Sequence, residues 1–104
     1  MKRLDTIVAG TDFSSCSKSA LRQAARLARS RGGALHVVHV IDSLVLDDLA
    51  EALRQPPGEL RAEIVRDAER RLEQLLEGVE RPERLAMEVC VGSPAHELLE
   101  KARA

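Results

Sequence analysis

The chain is 104 residues long, which is enough for one domain with a modest core. Charged residues make up 32%, and 16 basic against 17 acidic residues give a formal net charge of -1, so no positive field points to nucleic acid. Phe13 is the one aromatic residue, which excludes an aromatic platform for stacking bases.

The chain carries no segment typical of membrane targeting. Residues 1–5 lack the apolar character of a signal peptide, and no run approaches the length of a membrane span. Cys16 and Cys90 are too few for a disulfide framework. We therefore expect a cytoplasmic protein with two free thiols and no membrane partner.

The predicted elements begin with a strand and a helix. Residues 7–9 form a short apolar run, and residues 17–31 have the spacing of an amphipathic helix that ends at Gly32-Gly33. Residues 35–41 follow as an apolar, β-branched strand of the kind that helices cover on both faces. The apolar face of the helix consists of Ala20, Leu21, Ala24, Leu27 and Ala28.

A helical region separates the second strand from the third. Residues 44–53 predict a short helix, residues 55–58 a loop, and residues 59–77 a longer helix that ends at Gly78. Its apolar positions are Leu60, Ile64, Ala68, Leu72 and Leu75 or Leu76.

The last predicted elements are a strand at residues 85–91 and a helix that Ser93 caps and Pro94 begins. Alternation of strands with helices predicts an α/β fold with a parallel sheet and right-handed crossovers, in one domain over residues 1–104.

The turn after the first strand is the candidate binding site. Gly10-Thr11-Asp12 follows a buried strand and precedes a helix, and parallel sheets bind ligands just beyond the carboxyl ends of their strands. The alternative is structural, with Ser14 or Ser15 simply capping the helix.

Metal binding and catalysis find no support in the residue pattern. His36 and His39 point to opposite faces of their strand, and His96 lies on a distant helix, so we expect no metal site. We find no arrangement of Ser, His and acid and no paired carboxylates, and therefore expect a protein that is not an enzyme and has no catalytic residues.

Several segments together resemble the universal stress protein family, in the family's order and at compatible spacings across essentially the whole chain. They are residues 7–14, Ala20-Leu21 with the Ala-rich helix, residues 34–40, residues 91–95 and Leu98-Leu99.

This resemblance implies a Rossmann-like three-layer α/β/α fold, similar to the adenine nucleotide alpha hydrolases, with strand order 3-2-1-4-5. It also implies ATP bound, in many members, near the carboxyl end of the first strand. The implied cofactor-binding residues here are Gly10, Thr11, Asp12, Phe13 and Val40, with Thr11 and Asp12 near the ribose and the Val40 backbone at the adenine.

The chain departs from the family where the phosphates would bind. Members that bind ATP hold them with a later glycine motif, G-x-x-G-x9-G-[ST], and neither Gly32-Gly33 nor Gly92 follows that pattern. Only the first three strands and their helices are encoded, so we expect a domain incomplete at its C-terminus. We expect this chain to carry the base-and-ribose half of the site and to bind ATP weakly or not at all.

Two further expectations concern partners. The first strand, central in the family, would lie at an open sheet edge, which predicts a homodimer or other homo-oligomer through edge pairing. The alternative function is a stress-related dimerisation or interaction module that binds no nucleotide. A response-regulator receiver is set aside, because Val91-Gly92-Ser93 offers no phosphoacceptor Asp at the end of the third strand.

Overall fold

The computed structural model describes residues 6–103, which form one parallel sheet with helices on both faces. The predictions for residues 1–5 lie outside the described residues. The elements, in chain order, are β1 (Thr6–Gly10), α1 (Ser15–Arg31), β2 (Ala34–Asp42), α2 (Ser43–Leu53), α3 (Pro57–Glu77), β3 (Arg84–Gly92) and α4 (Pro94–Arg103).

The sheet has the order β1-β2-β3, and both strand pairs are parallel. The predicted α/β class and the order of its first three strands are confirmed. The β1–β2 register ends at Gly10 opposite Val38, whereas β2 and β3 continue to Asp42 opposite Gly92. The second strand thus runs beyond Val40, and its last residues lack a β1 neighbour. Within residues 6–103, none of the helices is long and apolar enough to cross a bilayer.

Local signals account for both ends of α1. The Ser14 hydroxyl accepts a hydrogen bond from Ser17 N–H at 3.1 Å, so the helix starts two residues before the predicted position. At the other end Gly32 has a φ of 65°, a left-handed conformation that glycine adopts without strain. Gly33 N–H donates to Ala28 C=O at 2.8 Å, which closes the helix as predicted.

One face of the sheet is covered by α1 and α3. Leu21 of α1 and Leu72 of α3 share a buried cluster with Leu35 and Val37 of β2. The predicted apolar face of α1 was wrong in part, because Ala25 is fully buried whereas Leu27 is 46% exposed. The row from Leu21 through Ala25 to Ala28 is the buried face of the helix, and Leu27 lies outside it. Four of the predicted positions of α3 are buried, namely Leu60, Ala68, Leu72 and Leu76, whereas Ile64 is half-buried.

The opposite face carries α4. An added Cβ on Gly10 would lie 3.1 Å from Leu98 Cδ2, so the missing side chain of Gly10 lets α4 approach the end of β1. Glu88 of β3 accepts from Lys101 Nζ at 2.7 Å and contacts His36 Nε2 at 3.1 Å. This carboxylate links α4 to the sheet, and α4 therefore forms one wall of the space above β1.

Candidate functional site at the carboxyl ends of β1 and β2

A cavity of about 620 Å³ opens where β1 ends and α1 begins. This volume is within the usual range for small-molecule sites. The turn after β1, the first turns of α1, the middle of β2 and the start of α4 all contribute. The cavity is lined by Gly10, Thr11, Asp12, Ser14, Cys16, Ser17, Ala20, Val38, His39, Val40, Pro94 and Leu98.

Hydrogen bonds within the chain hold the turn in place. Thr11 is 8% exposed, and its Oγ1 accepts from Phe13 N–H at 3.1 Å and lies 3.0 Å from Ser17 Oγ. The Ser17 hydroxyl in turn donates to Ser14 C=O at 3.0 Å. The Thr11 hydroxyl is therefore occupied by the turn and shapes the site without being free for a ligand.

Asp12 supplies an exposed carboxylate at the cavity rim. Its Oδ1 accepts from Ser14 N–H at 2.9 Å. Hydrogen bonds from Ser14, first from its side chain and then from its backbone, lower the pKa of Asp12 from 3.8 to about 2. The group is ionised at neutral pH and can accept hydrogen bonds from ligand hydroxyls through its remaining lone pairs.

Val40 presents backbone polar groups to the cavity. Thr11 N–H donates to Val38 C=O at 3.0 Å, which shows that the polar groups of Val38 point toward β1. Those of Val40, two residues on, point the same way. If the parallel hydrogen-bond ladder continued, Phe13 N–H would donate to Val40 C=O, but it donates to the Thr11 hydroxyl instead. Within residues 6–103, Val40 N–H and C=O thus lack a β1 partner and face the cavity.

Phe13 does not line this cavity. It has a φ of 66°, and its ring lies 4.5 Å from the His39 ring and packs against the α1–α3 core. His39 Nδ1 lies 2.7 Å from Thr11 C=O, which can only accept, so this nitrogen carries the proton and donates a hydrogen bond to the turn. The structure therefore brings Gly10, Thr11, Asp12 and Val40 together and places the Phe13 side chain on the other side of the turn.

The two strand histidines occupy opposite faces, as predicted. His36 contacts Glu88 on the α4 face, whereas His39 contacts Phe13 on the α1–α3 face. Across residues 6–103 no group of three or more His, Cys, Asp or Glu side chains is placed to hold a metal ion.

Sequence reasoning missed the side chains that close the cavity. Ser17 and Cys16 come from α1, while Pro94 and Leu98 come from α4, more than eighty residues after the turn. The one local signal for Leu98 was Gly10, whose lack of a side chain implies a close neighbour. None of the twelve lining residues is Lys or Arg, so the cavity offers no cation to a phosphate chain.

Comparison with known proteins places this geometry in a family. The universal stress protein family model matches residues 3–104. A search of curated proteins returned no significant match.

Three solved structures are similar in fold. The protein MJ0577, solved for a structure-based assignment of biochemical function, has a TM-score of 0.76 and 22% identity over 94% of this chain and 66% of its own. Universal stress protein UspA from Lactobacillus plantarum has a TM-score of 0.66 and 24% identity, over 97% of this chain and 70% of its own. A universal stress protein in complex with cAMP has a TM-score of 0.50 and 24% identity, over 95% and 70%.

The chain thus spans about two thirds of the length of the structures it resembles. The family match covers nearly every residue, and the parallel sheet, the turn after β1 and the α4 wall agree with a Rossmann-like α/β domain. The chain belongs to the universal stress protein family.

Proposed function

We propose that this chain binds the adenosine part of an adenine nucleotide, in the cytoplasm, and acts by binding and not by catalysis. The observation that carries the proposal is the pair of unpaired backbone groups on Val40, in the same cavity as the ionised carboxylate of Asp12. An N–H and a C=O on one residue match the ring nitrogen and amino group along one edge of adenine. The complex of a similar protein with cAMP, itself an adenine nucleotide, supports the class of ligand.

The chemistry of the cavity favours the nucleoside over the triphosphate. A ribose diol can donate hydrogen bonds to the Asp12 carboxylate, whereas phosphate groups near that carboxylate are repelled. The lining holds no cation that would offset this repulsion. We therefore expect ATP to bind no more tightly than adenosine, and both to bind weakly.

The test compares adenine, adenosine and ATP by calorimetric titration. Asp12→Asn should lower the affinity for adenosine by about tenfold, since it replaces a charged acceptor, and should leave the affinity for adenine unchanged. Asp42→Asn is the matched control, because Asp42 Oδ1 likewise accepts from the backbone N–H two residues on, that of Leu44 at 2.9 Å, but Asp42 does not line the cavity. Equal effects of the two substitutions, or micromolar binding of ATP, would contradict the proposal.

Cys16 provides a readout at the site itself. Its thiol lines the cavity and is exposed, whereas Cys90 is partly buried on β3 and burial raises its pKa. Bound adenosine should slow alkylation of Cys16 and leave the rate at Cys90 unchanged. Slowing of both thiols would instead report a general change in stability.

A second candidate function is self-association through β1. Within residues 6–103, β1 pairs with β2 alone, so the N–H and C=O groups of Val8 point to an open edge. We propose that this edge pairs with a second copy of the chain. Val8→Pro removes one outward N–H and should weaken association measured by sedimentation equilibrium, whereas Val8→Thr should not. A monomer at every concentration would refute this candidate.

A further inference from the structure

A second cavity lies in the groove between α1 and α3, on the face of the sheet opposite α4. Its volume is about 330 Å³, and it shares no lining residue with the cavity beside Asp12. Half-buried Phe13 and Leu75 contribute its apolar surface. Lys18 and Arg22 border it from α1, and Arg71 and Gln74 border it from α3.

The groove gathers three positively charged side chains. Lys18, Arg22 and Arg71 make no ion pair with any residue in the described range 6–103, and no carboxylate lines the groove. Arg70, the neighbour of Arg71 on α3, instead pairs with Asp67 at 3.4 Å. Three like charges around one small cavity repel each other, and a bound anion removes that cost.

Packing holds one of these cations in position. The Arg71 guanidinium carbon lies 4.4 Å from the centroid of the Phe13 ring, a distance typical of a cation–π contact. The Phe13 ring is itself supported by His39, with centroids 4.5 Å apart. The cation–π contact restrains the guanidinium beside the groove that Arg71 lines. A guanidinium fixed in this way is suited to hydrogen bonding a planar or tetrahedral oxyanion.

We propose that the α1–α3 groove is an oxyanion site that binds a phosphate or phosphoryl group through Lys18, Arg22 and Arg71. Gln74 adds a neutral amide donor at the same cavity. The site is separate from the adenosine cavity, with the Phe13–His39 stack between them. The proposal does not depend on nucleotide binding.

Titration with inorganic phosphate tests the site, using ¹⁵N-labelled protein at constant ionic strength with sodium chloride as the balancing salt. Phe13 and Gly78 line the groove, and the resonances of their backbone N–H groups should shift in a saturable way. Pyrophosphate, with more negative charge, should bind more tightly. Arg22→Gln and Arg71→Gln should each lower the affinity for phosphate by at least about fivefold. Arg70→Gln is the matched control and should leave this affinity unchanged.

Two outcomes overturn the proposal, and a third overturns only the independence of the groove from nucleotide binding. Shifts that follow chloride as closely as phosphate would show screening alone. Equal phosphate affinity in Arg71→Gln and Arg70→Gln would mean that the cations of the groove do not bind phosphate. ATP binding that is tighter than adenosine binding and is lost in Arg22→Gln would assign the groove to the phosphates of the nucleotide. The side chains of Arg22, Arg70 and Arg71 are exposed, so the three variants should keep the dispersed spectrum of the folded chain.

Discussion

Replacement of Thr11 by Val tests how the turn after β1 is built. Val has nearly the same shape as Thr but offers no hydroxyl. In the folded chain the Thr11 hydroxyl accepts from Phe13 N–H at 3.1 Å and lies 3.0 Å from the Ser17 hydroxyl. The substitution removes both contacts and leaves the Thr11 backbone bond to Val38 C=O intact.

The expected change in the free energy of unfolding follows from two opposing contributions. Loss of the acceptor for Phe13 N–H costs about 1–3 kcal/mol where water cannot replace it. The added methyl group at a site only 8% exposed returns at most about 0.8 kcal/mol. We expect Thr11→Val to lower the free energy of unfolding by about 1–2 kcal/mol, which corresponds to about 4–8 °C in Tm for each kcal/mol.

Chemical denaturation of a double-mutant cycle measures the contact directly. Ser17→Ala alone should cost less than about 1 kcal/mol, because alanine favours the helix and offsets part of the loss. The combination with Thr11→Val should be less destabilising than the sum, by about 0.5–1 kcal/mol. Additive effects, or a Thr11→Val variant as stable as the parent chain, would refute the hydrogen-bond network as the organiser of the turn.

Two further predictions concern stability. The hydrogen bond from Lys101 is the main cause that lowers the pKa of Glu88. The interaction therefore stabilises the fold fully above pH 4.5, the ordinary pKa of the group, and this stability is lost as the pH falls through the lowered pKa. Glu88→Gln should reduce this pH dependence of the urea midpoint, with a loss at pH 7 below about 1 kcal/mol because the carboxylate is 35% exposed. Gly32→Ala, at a φ of 65°, should cost about 1 kcal/mol by thermal unfolding, whereas Gly58→Ala within α3, with nothing within 4 Å of the new Cβ, should stabilise slightly.

Much of the fold could be predicted because its signals are local. The apolar runs, the Ser14 cap and the Gly32 stop each depend on residues within about four positions of one another. The location of the candidate site followed from the general rule that ligands bind at the carboxyl ends of parallel strands. The role of Phe13 did not follow, since its ring turns to His39 through a left-handed backbone angle that no local pattern announced.

The amino-acid sequence by itself determined the parallel α/β class, the family and the turn at Thr11-Asp12, because periodicity and short motifs specify these. The tertiary structure alone decided where β1 stops pairing, and so that the backbone of Val40 faces a cavity. It also brought Arg71 to the groove beside Arg22, nearly fifty residues away along the chain. The physical reason is that strand register and helix packing depend on contacts between distant residues, which local propensity does not encode.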